Sequence, residues 1–501
     1  MPPTEIVVDI STDANCSDMQ GVTIAVGEAS KIDDAVPFPA SSSCSDGSIG
    51  RVVVVPGSLD ANVGIRVVGG FKRDVTTCVD PYGEGCIVAR RALKYVPHTP
   101  LYLPIKLQVS CSGVPCDTTS TCVDGKCVPS NIGDPTGCKD PDGGCAPSGG
   151  LGPECGDVSG AEPGASWPMT GLCPTHTSRT PYGGPVAQPT TLWQYQDQTP
   201  SPQYSMPFVT ADGTTIFGTA SGNVVAYDAT TNAMKWLIAT GTAALDGNGG
   251  ILADGTFVIP GTSAIYDFDL GNQQQKWATN QHGTDIVIGA QVLYQGSQGF
   301  FHALDPSSGK DLWTTPTKAA GTATFNAPAI SPDGSRVYLS ADDGYFGIVD
   351  TTSHAEILGT TFSGNGLPMA VADRVYLPAK PLLFAYDKDG KQLWSYQVIT
   401  SGVALAKDGT VVVGTAGHIG GVDASGAPTW SVAIPADVTS DIVIDGGGII
   451  YGITAASDIL AIDPKSGVRW SVNVATAMNI AVTANKTVLV ITNDGRVVAL
   501  R

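Results

Sequence analysis

Short apolar runs recur along most of the chain, each ended by Gly, Pro, Asp, Asn or Ser. Early examples are residues 5–10, 22–26, 51–55, 63–68 and 104–109. They are rich in Val and Ile, the residues that suit a pleated, half-buried surface. Short runs of this kind between turn residues are typical of β-strands. The pattern therefore predicts an all-β chain.

The first predicted region is residues 1–128. Its segment RVVVVPGSLDANVGIRVVGGF (51–71) predicts two strands with a turn region around Asp60 and Asn62. We interpret the region as a β-sandwich of immunoglobulin-like shape. Its tail, CSGVPCDTTSTCVDGKC (111–127), has little apolar content and predicts a small disulfide knuckle. Pairing within 111–127, and between Cys78 and Cys86, is compatible with the spacing, but the spacing leaves the connectivity open.

Residues 129–165 are rich in Gly, Pro, Asp and Ser and show no periodicity. Such a composition predicts a linker. A disulfide between Cys138 and Cys145 would pinch it locally.

A repeated cassette fills the rest of the chain, residues 166–501. It consists of a strand that ends in a small residue followed by x-Asp, then a turn, then a strand that carries Trp. The marker aspartates are Asp228, Asp269, Asp305, Asp350, Asp387, Asp423 and Asp463, separated by 41, 36, 45, 37, 36 and 40 residues. A period of about 39 residues with four short strands per unit is typical of a β-propeller. A solenoid of β-arches is the alternative, but such arches usually repeat at shorter periods.

The count of repeats predicts how the ring closes. Seven marked units are followed by a C-terminal segment that supplies three strands of an eighth. The missing strand is present as TTLWQYQDQ (190–198), so we predict an eight-bladed propeller closed by the strand around Trp193. Closure of this kind removes an open sheet edge. The tryptophans at the common repeat position are then predicted to dock blades together: Trp193, Trp236, Trp277, Trp313, Trp394, Trp430 and Trp470.

A candidate binding site follows from the same geometry. The innermost strands of a propeller line a central channel, and the residues at their starts face one mouth. We call these residues the mouth positions: Ser205, Asp246, Asp285, Asn326, Leu367, Ser401, Asp441 and Asn479. Most are polar or acidic, so the ring they form could bind a cation, a sugar or a basic loop of a partner. A hydrated mouth without a ligand is the alternative.

Composition and charge narrow the classes of function. Lys+Arg 27 against Asp+Glu 46 gives a net charge of -19, which argues against binding to nucleic acid. All 12 cysteines lie between Cys16 and Cys173, and this segregation predicts disulfides in an oxidising compartment. No run approaches the roughly 18 apolar residues of a membrane span. The first ten residues do not resemble a signal peptide, and a signal or lipid anchor upstream of the given sequence stays open.

Motifs of known chemistry give no catalytic, cofactor or metal prediction. The sequence has no Gly-x-Ser-x-Gly elbow, GxGxxG, P-loop or HExxH motif. Two Asp-Gly runs, 139–144 and 387–391, lack the distal Glu of an EF-hand loop, so we interpret them as turns rather than calcium sites.

The cassette, clearest in AIDPKSGVRW (461–470) and ALDPSSGKDLW (303–313), resembles the tryptophan-docking repeat of pyrroloquinoline-quinone-type propellers. The segment SWPMTGLCPTHTSRTPYGGP (166–185), which we call the leader, is similar to the Trp-containing segment that introduces many such domains. The family includes quinoprotein dehydrogenases and also non-catalytic propellers, such as the envelope lipoprotein of outer-membrane barrel assembly. Its enzymes resemble one another in an adjacent Cys–Cys disulfide over the quinone and in a calcium held by Glu, Asn and Asp. No two cysteines are adjacent in this chain, so the resemblance implies the non-catalytic branch.

The first region resembles the Cys-rich front ends of surface lipoproteins from myxobacteria-like Gram-negative bacteria, through ARRALKYVPHTPLYLPIKL (89–107) and CSGVPC (111–116). Together these features predict a non-catalytic, extracytoplasmic binding or scaffold protein. It would be secreted, periplasmic or at the outer-membrane surface of a Gram-negative bacterium, with an envelope or surface protein or a glycan as partner. A carbohydrate-binding propeller and a quinone-dependent dehydrogenase are the alternatives.

Overall fold

The fold is described here from a computed structural model. It covers residues 4–501 except 42–43, 46, 58–61, 97, 117, 119, 124, 131, 133–137, 139–152, 163, 198–204, 229–230, 242–243, 246, 280–284, 365, 398 and 485. The chain divides into two compact units, Met1–Gly150 and Leu151–Arg501.

The first unit contains nine described strands. They are β1 (Glu5–Thr12), β2 (Met19–Glu28), β3 (Phe38–Ser41), β4 (Ser48–Val54), β5 (Asn62–Phe71), β6 (Cys86–Lys94), β7 (Pro100–Leu107), β8 (Ser120–Val123) and β9 (Lys126–Pro129). Short 3₁₀ helices span Cys16–Asp18, Ala29–Lys31, Val75–Thr77 and Val109–Cys111.

The strands of the first unit form two larger sheets, in the orders β4-β1-β7 and β3-β2-β5-β6, and β8 and β9 form a separate pair. Strand β1 pairs antiparallel with β4 and parallel with β7. Ile6 and Val8 of β1 lie in the same buried cluster as Ile65 and Val67 of β5. Alternate residues of each strand therefore point into one shared hydrophobic core.

Disulfide bonds connect the loops of the first unit. The described pairs are Cys16–Cys44, Cys78–Cys86, Cys111–Cys122 and Cys116–Cys127. The pairings compatible with the sequence, Cys78 with Cys86 and two bonds within 111–127, are thus present. Cys138 is also disulfide-bonded, whereas Cys145 lies outside the described residues.

In the second unit, a 3₁₀ helix spans Pro153–Cys155, the leader follows, and β10 (Thr191–Gln196) begins the strands. The strands of sheets 1 to 4, four per sheet, are β11 (Phe208–Val209), β12 (Thr215–Gly218), β13 (Asn223–Asp228), β14 (Ala233–Ala239), β15 (Gly250–Ile251), β16 (Thr256–Pro260), β17 (Ile265–Asp269), β18 (Gln274–Ala278), β19 (Ile286–Ile288), β20 (Leu293–Ser297), β21 (Phe300–Leu304), β22 (Asp311–Pro316), β23 (Ala329–Ile330), β24 (Arg336–Ser340), β25 (Tyr345–Asp350) and β26 (Ala355–Thr361).

Sheets 5 to 7 and the last three strands follow in the same way. They are β27 (Met369–Ala370), β28 (Arg374–Ala379), β29 (Leu382–Asp387), β30 (Gln392–Gln397), β31 (Val403–Leu405), β32 (Val411–Thr415), β33 (His418–Val422), β34 (Pro428–Ala433), β35 (Val443–Ile444), β36 (Ile450–Ile453), β37 (Asp458–Asp463), β38 (Gly467–Asn473), β39 (Ala477–Val482), β40 (Val488–Thr492) and β41 (Arg496–Leu500).

Within the described part of the second unit there are eight four-stranded antiparallel sheets, and their form is that of propeller blades. Seven are built from consecutive strands. Sheet 8 has the order β10-β41-β40-β39, so it combines the first strand of the unit with the last three. Trp193 of β10 lies opposite Ala499 of β41, which is the pairing expected from the sequence.

Burial explains the apolar pattern of these sheets. Second strands are buried along all or nearly all of their length, as in Thr256–Pro260 and Val488–Thr492, because neighbouring sheets cover both of their faces. Fourth strands lie at the perimeter, and their residues alternate between exposed and partly buried positions, as in Gln392–Gln397. Continuous apolar runs therefore mark second and third strands, and alternation marks fourth strands.

The marker aspartates shape the hairpin between the third and fourth strands. Asp305 Oδ1 accepts hydrogen bonds from the Ser307 N–H and hydroxyl, both at 2.7 Å. Asp423 Oδ1 accepts a bond from the Ser425 N–H at 2.8 Å in the same way. Such side-chain-to-backbone bonds favour a turn two residues on. The repeated Asp therefore has a local structural role in the repeat.

The prediction of an all-β chain is confirmed, since the described residues contain strands and 3₁₀ helices but no α-helix. The predicted linker, 129–165, lies partly outside the described residues, as does the turn at Asp60. The last part of the predicted linker differs from the prediction. Ala161 is buried and forms a β-bridge with Leu252 of sheet 2, and Cys155 is disulfide-bonded to Cys173. A Gly- and Pro-rich segment can still pack through its backbone, which composition does not reveal.

Candidate functional site

The seven repeat tryptophans all lie in the fourth strand of their sheets. Trp277 Nε1 donates to the carbonyl of Pro306 at 3.0 Å, and Trp394 Nε1 donates to the carbonyl of Ala424 at 2.9 Å. Each acceptor lies in the turn between the third and fourth strands of the next sheet. A Cβ atom at Gly309 would lie 2.6 Å from the Trp277 ring, so this turn approaches the ring closely. Trp277 and Trp394 thus link neighbouring sheets.

Two tryptophans have different partners. Trp313 stacks on His354 with ring centroids 4.1 Å apart. Trp470 Nε1 donates to the carbonyl of Pro185 at 3.0 Å, so the leader supplies the acceptor that a turn supplies elsewhere. Residues 190 and 501 join at this place by paired backbone hydrogen bonds, since sheet 8 is made from both ends of the unit.

Among the mouth positions, Ser205 and Ser401 are both 0% exposed. The Ser401 hydroxyl donates to the Gly402 carbonyl at 2.6 Å and accepts the Gly414 N–H at 2.7 Å. Ser205 makes the same two bonds, to Met206 and from Gly218, at 3.3 Å. These side chains join the first strand to the second and offer no surface to a ligand.

Sheet 7 contains the same arrangement one residue earlier than the expected mouth position. The Ser440 hydroxyl donates to the Asp441 carbonyl at 2.6 Å and accepts the Ile453 N–H at 2.9 Å. Ser440, rather than Asp441, therefore occupies the place of Ser401. This leaves the Asp441 carboxylate beside Gly402, where an added Cβ atom would lie 2.0 Å from Oδ1.

Asp285 belongs to a polar chain that crosses three sheets. It accepts hydrogen bonds from Asn248 N at 2.7 Å and Asn248 Nδ2 at 2.9 Å. Asn248 Oδ1 in turn accepts the Met206 N–H at 2.7 Å. Sequence reasoning missed Asn248, because an Asn among glycines (DGNGG) predicts only a turn.

Sheets 4 and 5 are joined in a similar way. Asn326 Nδ2 donates to the Ser340 hydroxyl at 2.9 Å, and that hydroxyl donates to the Gly366 carbonyl at 2.7 Å. The Thr400 hydroxyl of sheet 6 donates to the Val438 carbonyl of sheet 7 at 2.7 Å. Several polar groups near the mouth positions are therefore used to hold neighbouring sheets in register.

Lys380 is exposed at this end, and Asp441 is partly buried near it. Lys380 Nζ donates to the Thr439 carbonyl at 2.9 Å. Burial raises the pKa of Asp441 above its usual range, and the nearby Lys380 charge opposes that shift. Leu367 and Asn479 are partly buried, and Asp246 lies outside the described residues. The surface that remains for a partner is thus a polar rim with an exposed lysine.

The burial of the leader is the largest structural feature that the sequence did not predict. Every one of its residues from 166 to 178 is buried. The N–H of Ala370 in sheet 5 donates to the Thr175 carbonyl at 2.9 Å, and that of Leu405 in sheet 6 donates to the Thr177 carbonyl at 2.9 Å. These hydrogen bonds join backbone atoms, so no pattern of side chains predicts them.

No group of three or more His, Cys, Asp or Glu side chains among the described residues has an arrangement that could hold a metal ion. None of the described helices has the length and apolar character needed to cross a membrane.

Comparison with known proteins identifies the family of the second unit. Residues 186–388 and 379–501 match the family described as outer membrane protein assembly factor BamB. Together the two matches span more than half of the chain. No curated protein sequence gave a significant match.

Two solved structures share the fold. BamB from Moraxella catarrhalis superposes with a TM-score of 0.50 at 18% sequence identity, over 62% of this chain and 99% of that chain. The quinohemoprotein alcohol dehydrogenase ADHIIG from Pseudomonas putida HK5 gives a TM-score of 0.54 at 11% identity, over 68% of this chain and 80% of that chain. Both are similar in fold, as the repeat cassette implies. The chain therefore belongs to the family of outer membrane protein assembly factor BamB, and its second unit is a propeller of the pyrroloquinoline-quinone type.

Proposed function

We propose that this protein is a non-catalytic binding platform of the cell envelope or surface, and that its partner is another envelope or surface protein. Family membership over residues 186–501 is the observation that carries the proposal, because the family is described by an assembly factor. The disulfide bonds support an oxidising, extracytoplasmic location of the kind found in the periplasm or at the cell surface.

The platform in this proposal is a closed ring of eight blades. Pairing of β10 with β41 supports closure, because it joins the two ends of the repeat array in one sheet. Contacts between first strands of successive sheets, such as β31 with β35 and β35 with β39, support a common central axis. A ring held by such docking is rigid, and a rigid surface loses little entropy when it binds.

The polar rim formed by Asp441, Lys380 and Asn479 is the binding surface that we propose. Lys380 is exposed and basic, and Asp441 and Asn479 are partly buried polar groups, so a partner with acidic and polar side chains could pair with them. Electrostatic complementarity of this kind contributes mainly to specificity and association rate.

A quinone cofactor is the alternative suggested by the dehydrogenase neighbour. In that group of enzymes the resemblance ties the quinone to two adjacent cysteines, and no two cysteines of this chain are adjacent. The residues therefore do not fit a quinone–calcium site of that design, and we propose no cofactor.

Cross-linking of the purified protein to an envelope extract tests the platform. A partner captured by the wild type is then purified, and its affinity is measured by calorimetry for the wild type and for Lys380→Gln. We expect about tenfold weaker binding, since losing one charge at a binding surface costs about 1–2 kcal/mol. Lys276→Gln is the matched control, because its side chain is 39% exposed and pairs with Asp254 away from the rim. Equal affinity for all three proteins would contradict the proposed rim.

A titration with pyrroloquinoline quinone in the presence of calcium tests the alternative. We expect no stoichiometric change in absorbance at tens of micromolar and no dye reduction with alcohols or sugars. Stoichiometric binding with turnover would overturn the non-catalytic proposal. A glycan array in parallel would reveal a carbohydrate partner instead of a protein.

A further inference from the structure

The leader follows the inner edges of the sheets through a regular set of hydrogen bonds. In six of the eight described sheets, the N–H of the last residue of the first strand donates to a leader carbonyl. The donor–acceptor pairs are Val209–Trp167 (2.9 Å), Ile251–Pro168 (2.9 Å), Ile330–Pro174 (2.7 Å), Ala370–Thr175 (2.9 Å), Leu405–Thr177 (2.9 Å) and Ile444–Ser178 (2.9 Å).

The order of these bonds describes the path of the leader. As the acceptor advances from residue 167 to 178, the donor advances through sheets 1, 2, 4, 5, 6 and 7 in turn. A segment that meets successive sheets in their chain order must pass around the same axis as the sheets. The first strand of a blade has a free edge toward that axis, and its unpaired N–H groups need acceptors. The leader supplies them.

The leader lies at one end of the axis. Each donor is the last residue of its strand, so the bonds occur where first strands turn into second strands. The turn between β35 and β36 at that end also holds the leader, since Gly446 N donates to the Tyr182 carbonyl and Gly184 N donates to Asp445 Oδ2, both at 2.8 Å. The mouth positions stand at the other end of the first strands.

The burial of the leader residues shows that the leader packs into this end of the axis rather than lying on its surface. Trp167 is 1% exposed, and the polar residues Thr175, His176 and Thr177 are 0–2% exposed. His176 Nδ1 lies 3.1 Å from the Pro368 carbonyl of sheet 5. Burial lowers the pKa of His176 to about 4, so the ring is neutral at physiological pH. A neutral side chain suits a site without a counter-charge.

We propose that the leader is an intramolecular peptide ligand of the propeller, which occupies the inner rim and plugs the central channel at the end where first strands turn into second strands. This inference rests on the closed ring of the proposed function. A partner or ligand would then reach the channel through the mouth positions alone. The unit that folds would begin before residue 186, where the family match begins.

Cutting the chain after the leader tests the plug. A site for a sequence-specific protease is inserted after Ala187, next to Val186, which is 73% exposed. All cysteines lie at or before Cys173, so the cut leaves no covalent bond between the two pieces. We expect the pieces to elute together in gel filtration without denaturant. Hydrogen exchange of the uncut protein should show the six donor amides protected as strongly as amides of central strands.

Two neighbouring glycines provide matched variants. A Cβ atom at Gly184 would lie 2.2 Å from the Tyr451 hydroxyl, whereas one at Gly183 would meet nothing within 4 Å. We expect Gly184→Val to speed release of the cut leader at least tenfold and Gly183→Val to leave it unchanged. Separation of the cut pieces with a propeller that stays folded, or fast exchange of the six amides, would overturn the proposal. Partner capture by uncut protein is measured separately, so its failure would refute the platform and leave the plug standing.

Discussion

The first unit has four described disulfide bonds around two long-stranded sheets, whereas the second unit has one such bond and repeats a short four-stranded sheet. In the first unit, Cys111–Cys122 and Cys116–Cys127 hold a hairpin of only eight strand residues beside the larger sheets. In the second unit, Trp277 and Trp394 hold neighbouring sheets through one indole hydrogen bond each.

The difference shows two ways to compensate for short elements. A disulfide restricts the unfolded chain and so stabilises a segment that buries little apolar surface. Repetition lets each sheet bury both faces against its neighbours, as the fully buried strands β16 and β40 do. The second route depends on every junction, including the one where the chain ends meet. The predictions that follow separate these two routes.

Reduction of the disulfides should give the largest contrast. Each bond closes a loop of 8 to 28 residues in the first unit, and each contributes about 2–4 kcal/mol. Their sum approaches the whole stability of a typical domain, about 5–15 kcal/mol. We expect calorimetry with reductant to abolish the transition of the first unit and to lower that of the second by a few degrees.

The double variant Cys155→Ser with Cys173→Ser is the control for this experiment, because it removes only the described bond of the second unit. It should leave the first transition in place. If the first transition survives full reduction, the shared core around Ile6 and Ile65 is sufficient by itself, and the comparison between the units fails.

Replacement of docking tryptophans should give the next largest effect. Trp470 is 5% exposed and bonds to the leader through the Pro185 carbonyl. We expect Trp470→Ala to lower the free energy of unfolding of the second unit by about 3–5 kcal/mol, measured in urea. Trp394→Ala should cost less, because this ring is half-buried and bonds to a turn of the next sheet. Equal costs would mean that the leader junction is no stronger than an ordinary one.

Much of the second unit could be predicted from the sequence because its signals lie in side chains. The repeated Asp forms a turn with a neighbouring N–H, as Asp305 does, and the repeated Trp marks the fourth strand in seven of the eight described sheets. The strand around Trp193 could be assigned to the last sheet because one Trp-bearing strand was missing at the other end. Because the unit is repeated, the pairing of β10 with β41 could be predicted although the two strands lie far apart in the sequence.

The candidate site was harder to predict, since polarity does not show where a side chain bonds. Ser401 is polar at a predicted mouth position, yet its hydroxyl serves the backbone of its own sheet. In sheet 7 the hydroxyl that makes these two bonds belongs to Ser440, one residue before the expected position. The Asp441 carboxyl therefore occupies the predicted mouth position instead. Nothing in the sequence indicates the role of the leader, because a backbone carbonyl accepts a hydrogen bond in the same way in Trp, Pro, Thr and Ser.

The third prediction uses the repeats as internal controls. Asp267 is 0% exposed in β17 and lies opposite Trp277. The same repeat position in other sheets holds small or apolar residues, among them Ala226, Ala303 and Ala385. Neither Asp267 carboxyl oxygen has a hydrogen-bond partner among the described residues. A buried carboxyl without such partners favours its neutral form.

Burial raises the pKa of Asp267 to about 6, against the influence of Thr256 and Lys276, whereas the ordinary value is 3.8. Well below pH 3.8 the folded and unfolded states both hold the proton, and the group costs no charge energy. As pH rises toward 6 and beyond, the unfolded chain releases the proton more readily, so stability falls by up to about 3 kcal/mol. Asp267→Ala should therefore stabilise the second unit at pH 8 more than at pH 4.

Urea unfolding at pH 4 and pH 8 measures this difference, and Asp389→Asn, on an exposed turn, should change neither value appreciably. Asp267→Asn separates charge from volume, because it keeps the size of the side chain and removes the titration. If Asp267→Asn removes the pH dependence as fully as Asp267→Ala, the buried charge is what distinguishes sheet 2 from the other blades. If the pH dependence survives both variants, another group must carry it, and the repeats are more alike in energy than their sequences suggest.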